Sequence, residues 1–250
     1  MVALHSAFNS FVTHSGVAAA MEAGIMAALA SQAMHDFQDD PKGLLGPANM
    51  EAVWSWLKPF FVEHLPGVQE DDLHTVACIM GSEPETVQYG PTDNLFENQS
   101  RDVRQRDRRW RTPKLADVPC GNTVRAQACL EYFGSLSHDA MCLALWAVWN
   151  STCFEDAVRP LLMAGGDADT TGAIAGQLAG AVYGMHGPRG VMQACEGHWW
   201  RLARKYSLAE DAAAIVLFCN EYPYAEGAAA SRYGSGAAPA ATRYAGRSPA

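Results

Sequence analysis

The chain has 250 residues, of which 49% are hydrophobic and 18% charged, and its formal net charge is -9. This composition is typical of a globular protein with one sizeable core. The acidic balance argues against broad binding to nucleic acid or to an anionic membrane, because phosphate contacts need clustered Lys and Arg. We therefore predict a protein without nucleic-acid or membrane partners.

The cysteines and the N-terminus indicate the compartment. Seven cysteines are scattered without a C-x-x-C pair, a spacing that favours reduced thiols over a disulfide framework or a zinc site. The first basic residue is Lys42, so the start of the chain lacks the charge pattern of a secretory signal or a transit peptide. An alanine-rich stretch over 17–30 is interrupted by Glu22 and is too short to span a membrane. We predict a cytoplasmic protein.

The first half of the chain reads as helices followed by a polar segment. Apolar residues recur at three and four positions over 17–34 and predict a helix. Residues 53–64 predict a shorter aromatic helix, broken by Pro59. Residues 81–123 are polar and irregular and predict a loop or insertion, with a few short strands as the alternative.

An arginine-rich sequence, "RDVRQRDRRWR", occupies residues 101–111 within the polar segment. A solvated charged face that is partly paired with itself is one interpretation. Contact with a phosphate-bearing ligand or partner is the other.

Helical periodicity returns over 125–150, and Thr152 with Glu155 matches a capping box that predicts a helix start near Cys153. Pro160 is expected to kink or shorten that helix.

Residues 223–250 are rich in Ala, Gly, Ser and Pro without an apolar period and predict a disordered tail. The predicted fold is all-α, with one domain over 1–222.

The sequence "MAGGDADTTGAIAGQLAGAVYG", residues 163–184, carries the chemistry. Its glycines recur at every fourth position, at Gly172, Gly176, Gly180 and Gly184. A glycine costs ~1 kcal/mol relative to alanine inside a helix, so this face predicts a closely packed helix or ligand.

Asp167, Asp169 and Thr170 lie just before this helix, and their role is open between two interpretations. They either cap the helix and complement its dipole, or they offer the hard oxygen ligands that Mg²⁺, Mn²⁺ or Ca²⁺ prefer. An EF-hand is excluded because Leu178 stands at the twelfth loop position, where glutamate is needed. The D-x-D-x-T pattern also resembles haloacid dehalogenase phosphatases, which need a buried strand before the first aspartate.

The longer string "FEDAVRPLLMAGGDADTTGAIAGQLAGAVYG", residues 154–184, closely resembles the C-terminal signature of the ADP-ribosylglycohydrolase family, which includes the dinitrogenase-reductase-activating glycohydrolases. The sequence "THSGVAAAMEAG", residues 13–24, is similar to the T-H-[SP] helix start of that family. The resemblance covers about 120–200 well and 13–35 loosely.

This resemblance implies an all-α orthogonal bundle around a two-metal cleft that usually holds Mg²⁺, with Mn²⁺ as the alternative. It implies that Asp167, Asp169 and Thr170 bind the metal, that one of the two aspartates acts as the catalytic carboxylate, and that His14 meets the ADP-ribose. The alternative for His14 is capping or filling of the first helix. The implied reaction is metal-dependent cleavage at ribose C1 of an ADP-ribosylated protein or a related ADP-ribose derivative.

The chain departs from the family pattern at its start. A T-D-D-T metal half-site and a Gly-Asn phosphate loop precede the T-H segment in the family, whereas the T-H segment here starts at Thr13. The look-alike "PTDN", residues 91–94, lacks the second aspartate. We therefore expect a bundle without its N-terminal helices, self-association through uncovered apolar faces, and, as the alternative function, a truncated or degenerate non-catalytic member that is structural or ligand-binding.

Overall fold

The computed structural model describes residues 2–13, 16–84, 108–114 and 136–194, all within the unit Met1–Glu196. These residues form nine α-helices and no β-strand, which confirms the all-α prediction. The helices are α1 Val2–Thr13, α2 Val17–His35, α3 Pro41–Leu44, α4 Pro47–His64, α5 Glu70–Gly81, α6 Ser137–Trp149, α7 Phe154–Ala164, α8 Ala168–Tyr183 and α9 Val191–Ala194.

The phosphatase interpretation is wrong because the residues before Asp167 form helix α7 and not a buried strand. The predicted tail over 223–250 lies outside the described residues, as does most of the predicted insertion over 81–123.

Helix α2 runs through the middle of the bundle and contacts α1, α4, α5, α6 and α8. A Cβ added at Gly24 would lie 2.8 Å from the carbonyl oxygen of Ala3, so glycine is what lets α1 and α2 pack this closely. Ser6 Oγ donates to the carbonyl of Ala23 at 3.1 Å across the same contact. A helix that is apolar on most sides is buried in this way because every side meets another element.

By length and composition alone, α2 could also cross a membrane, and it is the one such helix in the described part of the chain. Half of that apolar window is buried inside the fold. The carboxyl group of Glu22 within it is paired with His138 of α6. The apolar residues of α2 therefore form part of the core of this bundle.

Helix α4 is longer than predicted and is not broken by Pro59. It extends from Pro47 to His64 with Pro59 inside it. Leu57 and Phe61 are buried on either side of the proline, at 2% and 0% exposure. The packing of these side chains outweighs the loss of one backbone hydrogen bond.

Helices α2, α6 and α8 end on the same side of the bundle. The Asp39 N–H, after α2, donates to the carbonyl of Val182 near the end of α8 at 2.9 Å. Ser151 Oγ, after α6, lies 2.8 Å from the Tyr183 hydroxyl. Because the three helices also pack on one another, they begin together on the opposite side. We call that side, marked by Val17, Ser137 and Ala168, the amino-terminal pole.

The segment 108–114 is inserted into the core. Trp110 is fully buried, and its Nε1 donates to the carbonyl of Ile79 at 2.7 Å. The hydroxyl oxygen of Ser82 accepts the backbone N–H groups of Trp110 and Arg111 at 2.8 and 2.9 Å. The indole thus adds a second donor to the carbonyl of Ile79 at the end of α5, which also accepts the Ser82 N–H at 3.1 Å.

Arg108 and Arg111 do not form a solvated face, so that interpretation is wrong for these two residues, whereas Arg109 is exposed. Arg108 is 3% exposed. The Arg111 guanidinium donates to the carbonyls of Leu45 and Gly81 at 3.1 and 2.7 Å. Arg111 can be half-buried here because its guanidinium donates to these carbonyls while Cζ of the same group lies 4.4 Å from the centroid of the Trp110 ring. Residues 101–107 lie outside the described residues.

Helix α7 begins at Phe154, close to the predicted start, and continues through Pro160 to Ala164. The predicted capping partner is wrong. The backbone N–H and the hydroxyl group of Thr152 both donate to the Asp156 carboxylate. Glu155 instead forms an ion pair with Arg159. The hydrogen bonds from Thr152 lower the pKa of Asp156. A carboxylate one position further along the first turn therefore takes the capping role.

Candidate functional site

A two-glycine turn brings the chain from α7 into α8 at the amino-terminal pole. Gly165 and Gly166 have φ values of 83° and 68°, in the left-handed region that favours glycine. The turn is short, so the first residues of α8 follow directly on the end of α7. Asp167, Asp169 and Thr170 all lie within this turn and the first turn of α8.

Asp167 occupies the N-cap position of α8, yet its side chain makes no capping hydrogen bond. Its backbone carbonyl accepts the Thr171 N–H at 3.0 Å and the Thr171 hydroxyl at 2.9 Å. Thr171 is buried and fixes this turn, a role that the sequence analysis did not assign to it. The capping interpretation is therefore wrong for the carboxyl group of Asp167.

Asp169 is exposed in the first turn of α8, two residues after Asp167. Interaction with the neighbouring Asp167 carboxyl group, followed by the backbone N–H groups of Asp169 and Thr170, lowers the pKa of Asp169. Two neighbouring carboxylates repel each other, so a cation bound between them would be stabilised by both.

Thr170 is exposed on the same turn as Asp169. The site so described has two carboxyl groups and one hydroxyl group. In the described part of the chain, no group of three or more His, Cys, Asp or Glu side chains is placed to hold a metal. His14 and the "PTDN" segment lie outside the described residues.

The small-residue face of α8 packs on α7, which confirms the predicted neighbouring helix. A Cβ added at Gly172 would lie 3.0 Å from Leu162 Cδ2, whereas one at Gly176 would lie 3.9 Å from Phe154. Close approach thus requires glycine only near the start of the helix. Gly184, with φ 70°, ends α8 instead of contributing to the face.

A buried group of charges, the ionic cluster, lies at the starts of α2 and α6 and was missed by the sequence analysis. Nδ1 of His138 hydrogen-bonds Oε1 of Glu22, and Arg108 Nη1 lies 3.7 Å from Asp139 Oδ1. The Glu22 and Asp139 side chains are each 4% exposed. The only signal in the sequence was the presence of Glu22 and Asp139 inside apolar helical patterns.

The ionic cluster changes the protonation of His138. Burial lowers the pKa of His138, but the charge of Glu22 and the hydrogen bond with it, together with Asp139, outweigh burial and the charge of Arg108, so the pKa is raised. The protonated imidazole then balances the cluster at two positive and two negative charges.

The sequence model of ADP-ribosylglycohydrolase matches residues 2–220. The chain belongs to the ADP-ribosylglycohydrolase family. The match extends on both sides of the two segments in which the sequence analysis placed the resemblance, and it includes α1, α4 and α5. It also includes the turn that carries Asp167 and Asp169.

Two bacterial relatives are similar to this chain over short segments. ADP-ribosylarginine hydrolase Tri1 of Pseudomonas putida (strain GB-1) is 53% identical over 49 residues, which are 20% of this chain and 13% of the relative. ADP-ribosylarginine hydrolase Tri1 of Serratia proteamaculans (strain 568) is 48% identical over 46 residues, which are 18% of this chain and 13% of the relative. The matched segments thus span about an eighth of each relative. No solved structure matches the chain significantly.

Proposed function

We propose that the chain hydrolyses the glycosidic bond at ribose C1 of an ADP-ribosylated protein or a related ADP-ribose derivative, with Asp167 and Asp169 at the reaction site. Family membership over 2–220 supports this reaction class. The observation that carries the proposal is the pair of neighbouring carboxyl groups, Asp167 and Asp169, at the start of α8.

The donor set suits a hard divalent cation, Mg²⁺ or Mn²⁺. Asp167, Asp169 and Thr170 offer only oxygen atoms, the ligands that these ions prefer. Asp167 and Asp169 lie two residues apart at the start of α8, where a bound cation would offset the repulsion between their carboxylates. Their negative charge also offsets the positive end of the α8 dipole, which by itself would repel a cation. We propose that these three residues hold the ion.

The chemistry follows from the charges. Hydrolysis forms a bond between C1 and a water oxygen, breaks the bond between C1 and the leaving group, and transfers a water proton away. One carboxylate of the pair takes that proton, and the negative charge of the pair stabilises the positive charge that builds on the ribose. A bound divalent cation would orient the ribose hydroxyl groups and polarise the water. His14 is proposed to contact the ADP-ribose.

Arginine is the acceptor that we propose first, because both relatives are named ADP-ribosylarginine hydrolases. Release of a guanidine from C1 needs one proton on the leaving nitrogen, and the carboxyl group that took the water proton can return it there. Substrates that carry ADP-ribose on arginine and on serine distinguish this acceptor from the alternative.

A second function is a family member that binds ADP-ribose without turnover. The absence of a third acidic, His or Cys ligand beside Asp167 and Asp169, among the residues described, favours it. Such a site would hold Mg²⁺ weakly, since that ion gives up its waters reluctantly.

The test is calorimetric titration of Mg²⁺ and Mn²⁺, with and without ADP-ribose, followed by hydrolysis of ADP-ribosylated arginine. We expect metal binding that ADP-ribose strengthens and that Asp167→Ala with Asp169→Ala abolishes. Asp71→Asn is the matched control, because Asp71 is also an exposed carboxylate in a first helical turn. Folded protein that binds ADP-ribose but never hydrolyses the substrate would establish the second function, and binding of neither would reject both.

A further inference from the structure

The ionic cluster is unusual because three buried ionisable side chains, Glu22, Arg108 and Asp139, meet a fourth, His138, whose side chain is 25% exposed. Glu22 and Asp139 are each 3% exposed as residues. Charges in such a place are costly unless they are paired and hydrogen-bonded. The cluster joins three separate parts of the chain, namely α2, α6 and the segment 108–114. It therefore links elements that no short turn connects.

The position of the cluster relates it to the candidate site. Glu22 lies in the second turn of α2, and His138 lies in the first turn of α6. Both helices contact α8 and begin with it at the amino-terminal pole. A shift of α2 against α6 would therefore displace the two helices on which α8 packs.

We propose that Glu22 and His138 form a positioning pair that holds the starts of α2 and α6 together, so that α8 presents Asp167 and Asp169 in their reactive arrangement. This inference rests on the proposed function. Neither residue touches the reacting groups in this arrangement. Their effect is on geometry, and a small misplacement of catalytic groups can cost on the order of a hundredfold in rate.

The pair depends on the protonation of His138. Oε2 of Glu22 is buried and has no hydrogen-bond partner among the described residues, so this carboxylate relies on the imidazolium on its other oxygen. The charged groups that act on His138 are Glu22 of α2, Asp139 of its own helix and Arg108 of the segment 108–114. Loss of the proton from His138 leaves one unbalanced negative charge in the cluster.

The test is a double-mutant cycle with Glu22→Gln, His138→Gln and both together, in the full chain. We expect each single variant to lower kcat for the ADP-ribosylated substrate by about tenfold to a hundredfold with KM within about threefold. The double variant should be no worse than the poorer single variant, because two residues that act as one unit are not additive. Glu155→Gln, in the exposed pair with Arg159, is the control and should change neither constant.

Two further readouts separate positioning from mere stability. In the wild type kcat should fall as the pH rises through the pKa of His138, and His138→Gln should lack that limb. Histidine NMR of the wild type should give His138 a pKa above 6.5 that Glu22→Gln lowers. This measurement decides the matter if the variants fail to fold.

The outcomes are distinguishable from those of the proposed function. Additive effects, unchanged kcat in all variants, or a His138 pKa at or below 6.5 would overturn the positioning role while leaving hydrolysis intact. A wild type that neither binds Mn²⁺ nor hydrolyses the substrate would overturn the proposed function, and the positioning role with it.

Discussion

Two acidic regions of this protein sit near helix starts, and they are built in opposite ways. Asp167 and Asp169 lie two residues apart at the start of α8, with Asp167 half-buried and Asp169 exposed. Glu22 and Asp139 are buried, and each has a cation beside it, His138 and Arg108 respectively. An unpaired charge is costly when it is buried, so the fold supplies a counter-charge only where water cannot solvate the carboxylate. The exposed pair needs no such partner and stays available to a ligand.

The largest expected effect concerns the exposed pair. Asp169→Asn should lower the rate of hydrolysis by about 10²-fold to 10⁴-fold, the range typical of an acid or base in the reaction. The free energy of unfolding should change little, because the side chain is exposed. Parallel rate and thermal-unfolding measurements check this, with Asp71→Asn as the control. A variant as active as the wild type would remove Asp169 from the site.

The buried region should respond in the reverse manner, chiefly in stability. Glu22→Ala should lower the free energy of unfolding by about 3–5 kcal/mol, because it leaves His138 without its charged partner. Glu155→Ala, in an exposed pair, should change the free energy by less than about 1 kcal/mol. Urea unfolding of both variants measures the contrast. Equal effects would contradict the distinction between the two regions.

The segment 108–114 supplies Arg108 to the buried region, and Trp110 anchors it. Trp110→Phe keeps an aromatic ring but leaves the buried carbonyl of Ile79 without its indole donor. The expected loss is about 0.5–1.5 kcal/mol of unfolding free energy, because this carbonyl keeps the Ser82 N–H as a donor. Trp56→Phe serves as the control, because Trp56 is among the exposed hydrophobic residues. A loss no larger than that of the control would mean that the hydrogen bond does not anchor the segment.

The two regions should also differ in the sign of their pH dependence. The pKa of His138 is raised in the folded protein, so its contribution to stability is fully present below the unfolded pKa. This contribution is lost as the pH rises through the folded pKa. The free energy of unfolding then falls by no more than about 1.4 kcal/mol per pH unit. The lowered pKa of Asp169 acts oppositely, and its contribution is lost as the pH falls through the folded pKa. Unfolding curves from pH 5 to 9 measure the first effect, and His138→Gln should flatten its alkaline limb. A wild type more stable at pH 9 than at pH 7 would contradict this.

The smallest effect is expected on the face of α8 below the exposed pair. Gly176→Ala should raise the free energy of unfolding by at most about 1 kcal/mol, because the new Cβ has ordinary contact distance to Phe154 and the helix gains propensity. Gly24→Ala is the contrasting variant and should destabilise, since its Cβ would press on the backbone of α1. Thermal unfolding measures both. Destabilisation by Gly176→Ala would show that α7 requires bare backbone there.

Much of the helix pattern was predictable, because periodic apolar residues encode it locally. The helix over 17–34, the start of α7 and the small-residue helix after Asp169 are all present. Pro59 was misjudged because its cost is local, whereas the burial of Leu57 and Phe61 that offsets it comes from other helices. Arg108 was misjudged for the same reason, since its partner Asp139 lies far along the chain.

The sequence by itself determined the helical class, the family signature over 154–184 and the two aspartates of the candidate site. These features are local, because a hydrophobic period, a glycine pair and a D-x-D-T motif can be read within one stretch of chain. Only the tertiary structure decided that α4 continues through Pro59, and that Glu22 and His138 meet across two helices. Contacts between residues that packing brings together decide which oxygen atoms stay open to a ligand and which charges are neutralised.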